Sequence, residues 1–240
     1  MKALSIALSL SFATLLIGAM TSGAFTSQTK LGQSEEQKLI KQEGETIIKY
    51  FVRKAKTQGL TKIVIPEPEV RLAAIPRNLD EALSRFSIVI GRPLQKTSLV
   101  NEDGYGISTF YKMKIIEVLS KSDKKFCCEN LIKIPGQLAE PMAGEIYLAS
   151  SGGTVTVDGI ELTQREWTDE LSIDHNYLLF LSQNISEKVN TVDLGREVLY
   201  KIDSDGMIDT NFKEPNSITN QIRSEYGNSI SSLKNSIKSK

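Results

Sequence analysis

The sequence predicts an α+β fold in which a bent antiparallel β-sheet curls toward a barrel. A helix that precedes the sheet in the sequence packs on it, and an amphipathic helix follows the sheet at the C-terminus. Two observations lead to this prediction. Between residues 86 and 208, short apolar runs, several with polar–apolar alternation, are separated by turn residues, which is typical of strands. On either side of this region, apolar residues recur at helical spacing, which is typical of helices that pack by one face.

Length and charge limit the classes of function. The chain has 240 residues, 40% of them hydrophobic, which is enough for one sizeable domain with a buried core. Its 29 Lys and Arg residues balance its 29 Asp and Glu residues. Without an overall basic field, neither nucleic acid nor an anionic membrane is expected as a partner. We expect a single domain over residues 35–212 and a tail over residues 213–240.

The N-terminal residues predict export. Lys2 is followed by an uncharged apolar run over residues 4–20 and by small residues up to Ala24. We predict a signal peptide over residues 1–24, a flexible leader over residues 25–34, and a secreted or periplasmic mature protein. An uncleaved anchor is the alternative, although the run is at the short limit of a membrane span. After cleavage, no later apolar run is long enough for a stable span.

Two helices are predicted before the sheet. Ser34 begins a capping pattern, and apolar residues then recur at helical spacing, so the first helix covers about residues 35–57. Gly44 is a weak point at which this helix is expected to bend. Asn78 begins a second capping pattern, which predicts a short helix over residues 79–85 that leads directly into the sheet.

A hairpin is predicted at the centre of the sheet. Its first strand covers residues 86–91, where Gly91 and Pro93 either end it or make it an edge strand, and its second strand covers residues 107–119. Further strands are expected at residues 145–149, 154–158, 160–162, 176–181 and 198–202.

The second strand of this hairpin has two distinct faces. Tyr111 lies on one face, while Lys112 and Lys114 point to solvent from the other, because successive side chains alternate. The apolar alternation changes face at residues 115–116, which indicates either a bulge that bends the strand or entry into a region covered on both faces. Long strands that bend in this way are what small barrels need, so we predict barrel-like closure.

The tail carries a narrow apolar stripe with Gly227 in its middle. The stripe consists of Ile218, Ile222, Tyr226, Ile230, Leu233 and Ile237. This spacing predicts an amphipathic helix that packs on the domain. Self-association through the stripe, docking of a partner and a disordered tail remain alternatives.

The two cysteines, Cys127 and Cys128, are adjacent, so no long-range disulfide framework stabilises the domain. Two loop residues are the simplest interpretation, and a vicinal disulfide or an intermolecular bridge remains open. With a single histidine in the chain, a zinc site is not expected either.

The candidates for chemistry are few. His175 is the lone histidine and follows Asp174. His175, with Asp174 or a distant acid and with a serine, is a candidate for a hydrolytic triad, because triads are defined in space. However, the chain has no Gly-x-Ser-x-Gly motif, and a turn or surface histidine is the competing interpretation.

Asp203, Asp205 and Asp209 resemble part of a calcium loop. The rest of that pattern, including its final glutamate, is missing, so a plain hairpin turn is the competing interpretation. No metal ion or other cofactor is expected.

The order of several segments resembles an uncharacterised exported bacterial protein family and, more loosely, netrin-like and other OB-fold β-barrels. The segments are residues 79–83 (LDEAL), 87–91 (SIVIG), 108–120 (STFYKMKIIEVLS), 152–159 (GGTVTVDG) and 177–182 (YLLFLS). The resemblance spans about residues 79–210 and implies an OB-like fold but no activity. The N-terminal cysteines through which netrin-like inhibitors act are missing here, so that activity is not implied.

We therefore predict a non-enzymatic binding or interaction module for an unspecified protein or small ligand. The alternative is a secreted hydrolase that uses His175 as general base. A third hypothesis is an assembly subunit that associates through the tail stripe.

Overall fold

The computed structural model describes residues 41–66, 76–122, 134–166, 171–181, 189–191, 199–211 and 215–239. Within these residues, four helices and nine strands form the predicted α+β fold. In chain order they are α1 (Ile47–Thr57), β1 (Lys62–Ile65), α2 (Leu79–Arg85), β2 (Ser87–Val100), β3 (Ile107–Ser120), β4 (Glu145–Ser151), β5 (Gly153–Val157), β6 (Ile160–Gln164), β7 (Asn176–Leu181), β8 (Val189–Thr191), β9 (Leu199–Ile202), α3 (Ser217–Tyr226) and α4 (Ile230–Lys238).

The strands form two sheets. The larger sheet has the strand order β8–β4–β3–β2–β7–β9, and the smaller has the order β1–β6–β5. Most neighbours are antiparallel, as predicted, but the β4–β8 and β1–β6 pairs are parallel. The fold is therefore mixed rather than purely antiparallel.

The larger sheet is open over the described part of the chain, so the predicted barrel closure is not found there. β8 and β9 lie at its opposite edges. The outer edge of β9 is already occupied, because the Asp209 N–H donates to Lys201 O over 2.8 Å and Ile208 bridges to Ile202. This pairing blocks β9 from the strand that would close a barrel.

β2 is longer than predicted. It continues past Gly91 and through Pro93 to Val100, while β3 matches its prediction to within a residue. Gly91 is the last β2 residue that pairs with β7, and the ladder to β3 shifts register just after Pro93. A proline beside a bulge on a strand with one free edge is tolerated, so it does not end the strand.

The predicted bulge in β3 is confirmed. Gly91 pairs with Ile115 and Ile90 pairs with Glu117, so Ile116 is the extra residue. The alternation changes face there as predicted, because Ile115 and Glu117 point to opposite sides of the sheet. Ile116 itself remains exposed, so the bulge bends the strand without burying this side chain.

Helices α2, α3 and α4 cover one face of the larger sheet, called here the helix-side face. They pack on β2, β7 and β9 around Leu178 and Tyr200. At the other end of β3, a smaller apolar cluster around Phe110 and Tyr147 lies on the same face. The opposite face of the sheet carries a separate cluster around Tyr111.

The predicted first helix is correct only in its second half. α1 begins at Ile47, where the Thr46 side chain caps it by accepting from the Lys49 N–H. Residues 41–46 are not helical, and Gly44 has a φ of 74°, which a helix does not allow. Residues 35–40 lie outside the described part. α1 packs in one apolar cluster with the smaller sheet and with Ile107 of β3 in the larger one.

The tail forms two helices where one was predicted. Gly227 and Asn228 have φ values of 56° and 59°, which end α3, and Ser229 then caps α4. All stripe residues except the partly buried Tyr226 are buried in the cluster on the helix-side face. The prediction that the tail packs on the domain is confirmed. Across the described residues, no helix is long and apolar enough to cross a membrane.

Candidate functional site

No hydrogen bond links the side chains of His175 and Asp174. Both lie in the turn before β7, with His175 half-buried and Asp174 exposed. Their backbone N–H groups donate to Ser172, to its carbonyl oxygen and its hydroxyl oxygen respectively. Among the described residues, neither the imidazole nor the Asp174 carboxylate has a hydrogen-bond partner. A catalytic His175 therefore stays a prediction.

The aspartates of the calcium-like segment form a turn. Asp203 Oδ1 accepts the N–H groups of Asp205 and Met207 over 3.0 and 2.7 Å, which closes a local turn. Asp209 binds the Asn211 N–H in a similar local turn. Within the described ranges, no group of three potential metal-ligating side chains comes together.

Several other predictions lie outside the described residues. They are the signal peptide, the flexible leader, and the state of Cys127 and Cys128.

Glu166 forms the centre of a half-buried polar cluster. Lys96 Nζ lies 2.7 Å from Glu166 Oε1, and the Tyr111 hydroxyl donates to Glu166 Oε2 over 2.9 Å. Burial, followed by the bond to Glu166, raises the pKa of the Tyr111 phenol above its ordinary range. Tyr111 therefore stays a hydrogen-bond donor, and both carboxylate oxygens are engaged. This cluster fastens the segment after β6 to the central hairpin.

A shallow groove of about 390 Å³ runs along α1 beside the β5–β6 turn. Its floor is apolar and its rim is basic. Two of the rim cations already have partners, because Arg53 pairs with Glu45 and Lys56 pairs with Asp158. The groove therefore has little unbalanced charge to direct at a ligand.

A polar band crosses the helix-side face of the larger sheet between the two apolar clusters on that face. The band consists of Arg92, Gln95, Lys112, Lys114, Glu145 and Asn176, from strands β2, β3, β4 and β7. The strand ladders align them, because Arg92 pairs with Lys114, and Lys114 pairs with Glu145. Paired residues on neighbouring strands share a face, so these side chains emerge together.

Only one cation of the band is neutralised within it. Lys112 Nζ lies 2.8 Å from Glu145 Oε2, and this hydrogen bond lowers the pKa of Glu145 and raises that of Lys112. The same carboxylate oxygen accepts the Met142 N–H over 2.9 Å. Lys114 is exposed beside this pair and has no ion pair or hydrogen bond to any other described residue.

Arg92 is oriented and exposed. Its Nε donates to Asn176 Oδ1 over 2.9 Å. Its two terminal nitrogens have no partner within the described part of the chain. Arg92 also lies directly opposite Lys114, where like charges repel. On its other side Lys114 lies opposite Glu145, which attracts it electrostatically without forming an ion pair. Together Arg92 and Lys114 form an exposed cation pair that can hold an anionic group.

The sequence predicted only part of this band. The alternation in β3 correctly places Lys112 and Lys114 on the face opposite Tyr111. Lys114 points to solvent as predicted, whereas Lys112 does not, because it is half-buried and pairs with Glu145. Arg92 and Asn176 were missed because the predicted first strand ended at Gly91, and no local signal gives the register between strands. Comparison with models of known protein families and with curated protein sequences found no match.

Proposed function

We propose that this protein is an exported, non-enzymatic binding or interaction module. The observation that supports the proposal is a contrast between the candidate acid–base groups and an exposed cation pair. Internal partners engage both oxygens of Glu166 and neutralise Glu145, and no described side chain orients the imidazole of His175, whereas Arg92 and Lys114 are exposed on neighbouring strands. Catalysis needs positioned groups free to move protons, while binding needs exposed, fixed groups. Export follows from the apolar run and small residues of the predicted signal peptide.

The test is an assay of the mature protein and of His175→Ala against a broad panel of ester, peptide and glycoside substrates. We expect no turnover by either protein. Turnover by the wild type contradicts the proposal. If that turnover disappears in His175→Ala while the unfolding curve is unchanged, the alternative of a secreted hydrolase with His175 as general base is supported.

A further inference from the structure

We propose that the Arg92–Lys114 cation pair binds a tetrahedral oxyanion, namely a phosphoryl or sulfuryl group carried by the ligand. The inference rests on the proposed binding function and names the ligand chemistry of the polar band. It starts from the ladder that sets Arg92 and Lys114 directly opposite each other. Like charges on directly opposite residues repel each other, and an anion bound between them relieves this repulsion.

The donor set suits an oxyanion with three or more oxygens. Asn176 holds the Nε side of the Arg92 guanidinium, which leaves both terminal nitrogens to form a forked pair of hydrogen bonds. Lys114 adds a compact ammonium group from the neighbouring strand. A phosphoryl or sulfuryl group can accept from the fork and from the ammonium through different oxygens, whereas a carboxylate has only two oxygens.

The surroundings increase this preference for an anion. Glu145 is the one carboxylate in the band, and Lys112 and the Met142 N–H already engage it. Farther along β3 on the same face, Lys234 and Lys238 of α4 lie near the single carboxylate of Glu117. The whole chain is neutral, so the excess of cations over carboxylates in the polar band is a local feature.

The test is a titration of the ¹⁵N-labelled mature protein with inorganic phosphate and sulfate, with acetate at equal ionic strength for comparison. We expect saturable shifts of amide signals around Arg92 and Lys114 with phosphate and sulfate. In Arg92→Gln/Lys114→Gln, the apparent dissociation constant should rise by about tenfold or more, as expected when two charge-assisted contacts are lost. Both side chains are exposed and their charges repel each other, so the variant should be at least as stable as the wild type in chloride buffer.

The matched control is Lys49→Gln/Lys56→Gln, which removes two cations from the rim of the α1 groove. It should bind phosphate as the wild type does. No saturable binding, unchanged binding in Arg92→Gln/Lys114→Gln, or loss of binding in the control overturns the proposed site. Acetate binding as tight as phosphate binding overturns the tetrahedral preference. These titration outcomes test only the site and the class of ligand. The proposed binding function is tested separately by the substrate panel, where turnover by the wild type would contradict it.

Discussion

At the scale of single residues, the Glu45–Arg53 ion pair ties the segment before α1 to the helix. Arg53 donates through Nε and Nη2 to the two Glu45 oxygens over 2.9 and 2.8 Å. This hydrogen bonding, aided by the Gln42 N–H, lowers the pKa of Glu45 from its ordinary value of 4.5 to about 2. Because the pKa of Glu45 is lower in the folded state than in the unfolded state, its ionised form stabilises the fold at pH values above the unfolded pKa. This contribution is lost as the pH falls through the folded pKa.

We predict that Glu45→Gln is less stable than the wild type near neutral pH and that the difference narrows as the pH falls from 4.5 to about 2. The narrowing is expected because protonation of Glu45 removes the same ion pair from the wild type. Urea-unfolding midpoints over a pH series measure it. Glu43→Gln, which removes an equal charge from an exposed side chain nearby, controls for net charge. A difference that stays constant with pH contradicts the prediction.

At the scale of elements, Gly152 is where the chain crosses from the larger sheet to the smaller one. The predicted strands at residues 145–149 and 154–158 leave four residues between them, but β4 and β5 are separated by Gly152 alone. Gly152 has a φ of 92°, and its N–H donates to Ile107 O over 2.7 Å. A side chain at this position would overlap the backbone carbonyl of Arg165. The crossing therefore requires glycine for both conformation and space.

We predict that Gly152→Ala lowers the free energy of unfolding by about 2 kcal/mol or more, because it combines backbone strain with a backbone clash. Denaturant unfolding measures the change. Gly136→Ala is the matched control, since no atom lies within 4 Å of its added Cβ, and it should change stability by less than about 0.5 kcal/mol. Equal stability of the two variants would show that the crossing is not constrained in this way.

At the scale of the whole molecule, features with local determinants could be predicted and long-range contacts could not. Asn78 caps α2 by accepting the Glu81 N–H over 2.8 Å, and both residues stand three positions apart in the sequence. The bulge at Ile116 likewise follows from a local change in alternation. By contrast, Glu166 meets residues 55 and 70 positions away, and no local pattern encodes that meeting. The parallel β1–β6 and β4–β8 pairs, and the strand register that creates the polar band, also depend on contacts between residues far apart in the sequence.

The tail completes the core of the larger sheet. Ile222 and Leu233 are 1% and 0% exposed and pack with β2, β7 and β9 in one cluster. Glu117 of β3 forms an ion pair with Lys234 of α4, which adds a polar contact between this helix and the sheet. A second copy of the chain could reach the apolar stripe only if α3 and α4 left the sheet. Self-association through the stripe thus stays a prediction that requires partial unfolding.

We predict that Leu233→Ala lowers the free energy of unfolding by about 2–5 kcal/mol, because it leaves a cavity between α4 and the sheet. Ile116→Ala, at a side chain that is 48% exposed, is the matched control and should cost less than about 0.5 kcal/mol. Denaturant unfolding gives both values, and sedimentation velocity under native conditions should show the same oligomeric state for both variants and the wild type. If Leu233→Ala dissociates an oligomer while its unfolding free energy stays unchanged, the stripe serves assembly and not the core of a single chain.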